Sequence, residues 1–316
     1  MSQPLWDPDV LSRIRRLHLR ARHLTESLLM GAHRSRRVGQ AVEFADYQEY
    51  VAGMDVRRLD WRVWARSDRH VIRRFETETE LPCTVIVDLS GDLGTGEEAR
   101  GRALPDLEGT KAGYAITMAA TLLYFLHRHG EPVGLELVAG EGMTHRSMPP
   151  RGGRNHLQTL FATLAVSRPA GRADLADALA RVGPRVRRRS FVAVISDGME
   201  EPSRWLPSLG ALARRGADTR FFHIRDPKEW TLGFSQPALF FSPEGGEVLP
   251  VDPQGASSAF AEVVAEYEEE VRAGVVRWGG TYLPVDTSGP MERALRSGLL
   301  GLNSSPGRPR EGGAWA

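Results

Sequence analysis

Apolar positions between residues 8 and 30 recur at helical spacing. Val10, Leu11, Ile14, Leu17, Leu24 and Leu28 form one stripe, and Gly31 is a natural stop. Across 32–80 that pattern breaks. Phe44, Tyr47, Tyr50, Trp61, Trp64 and Phe75 stand among arginines and acids, which predicts a loop-rich collar with a few strands, one of them over 71–75. After Pro82 the texture changes again. Thr-Val-Ile-Val-Asp at 84–88 is a short β-branched apolar run, the mark of a strand buried on both faces. The pattern then predicts a helix over 110–129, a strand over 133–138 and a polar stretch ending in Pro149-Pro150. Helices over 153–165 and 174–182 precede a fully apolar strand over 191–195. A helix over 203–215, a strand over 219–224 and a hairpin over 238–251, turning at Glu244-Gly245-Gly246, follow. An acidic helix over 257–278, a strand over 281–285 and a short helix over 290–298 close the series.

Strands alternating with helices predict an α/β fold: three layers around a mostly parallel sheet. The expected organisation is an N-terminal helix (1–31), a collar packed on the main domain (32–81), the α/β domain (82–299) and a disordered tail rich in Gly, Pro, Ser and Arg (300–316). Functional groups in such sheets gather at the carboxyl ends of the strands. Two acidic motifs stand there: Asp88-Leu-Ser90-Gly-Asp92 and Ser196-Asp197-Gly198.

Charge and composition narrow the function classes. The chain has 316 residues, 41% hydrophobic and 26% charged, an ordinary globular balance. Its 41 basic and 40 acidic residues nearly cancel, which argues against nucleic acid or an acidic membrane surface as partner. Lys111 and Lys228 are the only lysines; every other basic residue is arginine, a skew that reflects genome composition before function. The single cysteine, Cys83, excludes a disulfide framework and a cysteine zinc site, and reads as a core thiol. The longest uncharged apolar run, 116–126, has 11 residues, whereas a membrane span needs about 18 or more. Asp7 and Asp9 come early and no apolar core precedes the arginines, so a signal peptide is not expected and the predicted location is cytoplasmic.

Asp88, Ser90 and Asp92 alternate on a tight loop, so three oxygen side chains face one point. That suits a hard cation such as magnesium, manganese or calcium, with Asp197 adding a carboxylate from a neighbouring strand end. The competing reading is that these acids cap helices and loops. Other motifs fail on detail. Gly91, Gly94 and Gly96 reverse the dinucleotide order, and Gly109-Thr-Lys111 lacks phosphate-loop spacing. A calcium loop would want Gly and Glu where Leu93 and Ala99 stand. A haloacid-dehalogenase-like phosphatase would want an aspartate at Ser90. No nucleophile stands beside a base, so no catalytic residue is assigned.

The collar carries a more specific signal. Gly39, Glu43, Phe44, Tyr50, Gly53, Asp55, Arg57, Asp60, Trp61, Ala65, Arg66, Phe75, Glu76 and Glu78 occur in an order that resembles the domain of unknown function 58 family. Ala41, Gln48 and Met54 depart from its pattern of Gly, Arg and Asp. The resemblance implies a von Willebrand factor A-like fold and a descendant of its metal-ion-dependent adhesion site. Asp88, Ser90 and Asp197 match that site, Asp92 replaces a serine, and Ala173 stands where a threonine ligand is expected. A divalent cation (Mg, Mn or Ca) is therefore expected to be held weakly or lost. The family also implies a non-enzymatic adaptor working with a MoxR-type AAA+ ATPase, a partner's acidic side chain completing the ion's coordination. The alternatives are a metal-dependent hydrolase and a structural module with a dead metal site. Arg57, Asp60 and Arg66 around Trp61 and Trp64 read as a charged clasp between collar and sheet domain.

Overall fold

Runs such as Val85–Val87 and Phe191–Ile195 have no polar face to offer water, so they lie in the middle of a sheet covered on both sides. The computed structural model describes residues 8–35, 47–49, 71–73, 81–94, 109–138, 146–227, 238–240 and 249–299. The chain divides into two compact units, Gly31–Glu80 and the remainder, Met1–Met30 with Leu81–Ala316. In the smaller unit the described residues are two short antiparallel strands, β1 (Tyr47–Glu49) and β2 (Val71–Arg73). Arg57, Asp60, Trp61 and Arg66 lie outside the described residues, as does the tail expected over 300–316.

The larger unit is built on six strands: β3 (Cys83–Asp88), β4 (Val133–Val138), β5 (Arg146–Arg151), β6 (Phe191–Ser196), β7 (Asp218–Arg225) and β10 (Thr281–Asp286). Their order across the sheet is β10-β7-β6-β3-β4-β5, parallel throughout except for β5. β8 (Ala238–Phe240) and β9 (Leu249–Val251) pair separately as the arms of the expected hairpin, whose turn lies outside the described residues.

Strand side chains alternate between the two faces. Val85, Val87, Ala193 and Ile195 join a core with α1 (Pro8–Ser35), α2 (Lys111–Arg128), α3 (Arg154–Val166) and α7 (Met291–Leu299). Ile86, Val192, Val194 and Phe221 join a second core with α4 (Leu175–Val182), α5 (Pro202–Arg214) and α6 (Pro253–Arg277). The result is the expected three-layer α/β architecture, with a mostly parallel sheet between two helical layers.

Three local expectations are corrected. α1 runs through Gly31 to Ser35, because one glycine costs a helix only about 1 kcal/mol. Its buried stripe is Val10, Leu17, Ala21 and Leu28, while Leu11 is 49% exposed and off the stripe. The polar stretch ending in Pro149-Pro150 is the edge strand β5. Prolines are tolerated there because only one side of an edge strand must donate to the ladder. The register shifts between Val133 and Leu135 to accommodate them. A Cβ on Gly134 would lie 2.6 Å from the Pro150 nitrogen, so that crossing needs glycine.

Candidate functional site

The chain leaves β3 for β4 on one side of the sheet, and leaves β6 for β7 on the other. The carboxyl ends of β3 and β6 therefore flank the point where the strand order reverses, the usual place for a crevice in such sheets. β3 ends on Asp88, and β6 runs directly into Asp197. After β3 the backbone is tied down on two sides: Leu89 donates its N–H to the Val138 carbonyl at 2.9 Å, and Gly91 donates to the Gly171 carbonyl at 2.7 Å. A 3-10 turn, Gly91–Gly94, then carries Asp92.

The four oxygen-bearing residues singled out in the sequence, Asp88, Ser90, Asp92 and Asp197, come to this one place. Asp88, Ser90 and Asp197 are buried, and Asp92 is partly so. Asp88 accepts from the Ser90 N–H at 2.9 Å and from the Ser196 hydroxyl at 2.7 Å, and the Ser90 hydroxyl also bonds to it. Ser196 in turn accepts the Gly198 N–H at 2.9 Å. Burial first, and then the charge of Asp197, hold the Asp88 carboxyl well above the ordinary carboxylate range, although these hydrogen bonds pull it down. Asp92 is raised for the same two reasons, opposed by Lys111 and Arg172.

Lys111 is the residue that sequence reasoning passed over. It opens α2, is 2% exposed, and places Nζ 2.8 Å from Asp197 Oδ2. Its rarity was the available signal: an arginine-rich chain has one of its two lysines here. A lysine in the first turn also runs against the helix dipole, which favours cations at the other end. Ala173, at the position where the resemblance calls for a threonine ligand, packs its methyl partly buried against the second core and has no oxygen to give. Among the described residues, no three His, Cys, Asp or Glu side chains converge closely enough to hold a metal ion. The donor set therefore fits a divalent ion poorly: one ligand is a methyl group, and an ammonium already sits on the carboxylate of Asp197.

His223, on β7, completes the floor. Its Nε2 faces the Asp197 carbonyl at 2.8 Å and its Nδ1 faces the Tyr282 hydroxyl at 2.7 Å. Facing a carbonyl, Nε2 carries the ring proton, while the Tyr282 hydroxyl beside Nδ1 also reaches Glu268 Oε1 at 3.2 Å, so both ring nitrogens are engaged. Burial pushes its pKa down to about 4, against the pull of Asp197. On the outer side, Tyr267 of α6 donates to the Gly198 carbonyl and pins the loop after Asp197. Met199, the next side chain, is 63% exposed. Cys83 is buried at the far end of β3, with its thiol pushed upward by burial, and takes no part.

Among the described residues, no helix is long and apolar enough to cross a membrane. In amino-acid sequence the chain is similar to Uncharacterized protein Rv1480 of Mycobacterium tuberculosis (strain H37Rv), with 28% identity over 286 residues, 89% of this chain and 86% of the relative. Solved structures with some similarity to the chain include conserved hypothetical protein BatB from Bacteroides thetaiotaomicron, 14% identical with a TM-score of 0.43, covering 71% of this chain and 98% of that one. The SpRpn10 VWA domain is 10% identical with a TM-score of 0.39, covering 72% and 98%. The family model Protein of unknown function DUF58 matches residues 46–272, well over half of the sequence, and the chain belongs to that family.

Proposed function

We propose that this chain is a non-enzymatic protein-interaction module of the cytoplasm that docks a protein partner at the carboxyl edge of its sheet, where β3 and β6 diverge. The observation that supports the reading is the arrangement around Asp197. Inside, Asp197 is paired with Lys111 and Asp88 accepts from the Ser196 hydroxyl, while the side chain offered to solvent two residues on, Met199, is apolar and 63% exposed. Catalysis by acid, base or nucleophile needs a base within hydrogen-bond reach of a reactive group. Here the Ser196 hydroxyl donates to Asp88, and both nitrogens of His223 are engaged. Docking needs something else: an exposed anchor on a rigid base. Methionine adapts well to such surfaces.

The family resemblance supplies the partner class, a MoxR-type AAA+ ATPase. Affinity capture of such an ATPase from the same genome on the full chain tests the reading. Wild type should retain it, and Met199→Arg should weaken retention by about tenfold or more while leaving the melting temperature unchanged. Capture indifferent to Met199→Arg would move the interface elsewhere, first to the acidic helix face at Glu262–Glu270. A panel of such ATPases that all fail to bind would remove the assigned partner.

A further inference from the structure

We infer that the Lys111 ammonium is the resident cation of this carboxylate centre, standing in for a divalent ion, so that the centre is complete without metal. Asp88, Asp92 and Asp197 stand at the crevice, Asp197 near enough to act on the charge of the other two, although the three do not converge as a metal-holding set. A cluster of that kind needs a positive charge or must give up its own. Lys111 supplies the charge from inside, with Nζ at 2.8 Å from Asp197 Oδ2 and both groups buried. The two other features point the same way. Ala173 removes one oxygen ligand, and its methyl packs against apolar neighbours. Asp88 is tied up by three protein donors, from the Ser90 N–H, the Ser90 hydroxyl and the Ser196 hydroxyl.

Position strengthens the assignment. The first turn of a helix repels a cation, because unpaired N–H groups already face it. Lys111 begins α2 directly after its N-cap, Thr110, whose hydroxyl accepts the Gly113 N–H at 3.1 Å. A lysine is held in that unfavourable place by what lies opposite, the Asp197 carboxylate. An entering divalent ion would meet both this ammonium and the positive helix end, and would have to displace the former.

Titration of the full chain with Mn2+ alone, followed by calorimetry and by the melting temperature, tests this without any partner present. Wild type should show no binding heat and no shift in melting temperature up to about 1 mM Mn2+, the weak end of protein sites for such ions. Lys111→Met, which keeps the length and removes the charge, should melt lower than wild type and regain stability with Mn2+, binding it at least about tenfold more tightly than wild type. Wild-type binding of Mn2+ that is abolished by Asp88→Asn would overturn the inference, and so would a folded Lys111→Met that ignores Mn2+. If Lys111→Met fails to fold, the double variant Lys111→Met/Asp197→Asn decides. Recovery of the fold shows that the lost charge was the cause and supports the assignment, whereas a double variant as unstable as the single one defeats it.

Discussion

Lys111 Nζ and Asp197 Oδ2 lie 2.8 Å apart across the top of the sheet, one on the first residue of α2 and the other just past β6, and both side chains are buried. The pair joins two elements far apart in sequence. It also turns a crevice lined by acids into one whose charge is largely met from within.

Removing one partner of a buried pair is strongly destabilising even where the intact pair adds little, and Asp197 is the carboxylate that meets the buried Lys111 ammonium at 2.8 Å. Asp197→Ala should therefore lower the unfolding free energy by about 3–5 kcal/mol. Urea denaturation of the full chain measures it. A loss under about 1 kcal/mol, the range of exposed pairs, would show that water reaches the pair in solution.

A second buried charge sits under α4. Glu136 points out of the middle of β4, is 1% exposed, and meets Arg181 Nε at 3.0 Å. Arg181 is partly exposed and has Asp177 as a further partner, so Arg181→Ala harms chiefly by stranding Glu136. The variant should melt lower than wild type, and Glu136→Gln placed on top of it should recover part of the loss. Equal melting temperatures for Arg181→Ala and wild type would contradict this account.

His223 makes stability depend on pH in a definite direction. Its pKa is about 4 in the folded chain against an ordinary 6.5. Above 6.5 it is neutral in both states and has no effect. Between 6.5 and 4 the unfolded chain takes up a proton that the folded one refuses, so stability falls as pH falls, by at most about 1.4 kcal/mol per pH unit. Asp197, Arg225, Lys111 and Tyr282 face the imidazole, and the raised Asp88 contributes with the opposite sign. The measurement is therefore the difference between wild type and His223→Gln across that window. The variant should lose less stability on acidification, and parallel curves would refute the assignment.

Gly210 lies where α5 touches the end of α6, and a Cβ there would come within 2.4 Å of the Trp278 ring. Alanine would favour the helix locally by about 1 kcal/mol, yet overpacking of this kind costs typically about 1–3 kcal/mol. Gly210→Ala should thus lower the melting temperature and disturb the near-ultraviolet signal of Trp278. A rise in melting temperature would mean that the ring moves aside freely.

The architecture is legible in the order of residues alone. Hydrophobic period is a local property, and Val85–Val87 and Phe191–Ile195 have nowhere to go but the middle of a covered sheet. Alternation of such strands with helices then admits few topologies. Asp88, Ser90, Asp92 and Asp197 were equally legible, because strand ends in this class of fold collect polar groups in motifs a few residues long. The partners those groups meet come from the folded arrangement and from nothing local. Lys111 follows Asp88 by 23 residues and precedes Asp197 by 86, and no spacing rule joins a helix start to two strand ends. Edge strand β5 was hidden for a related reason. Its prolines read locally as a turn, and their tolerance depends on β5 pairing on one side only and on Gly134 opposite making room. Both cases turn on contacts between distant segments, whose energies enter only after the chain has closed.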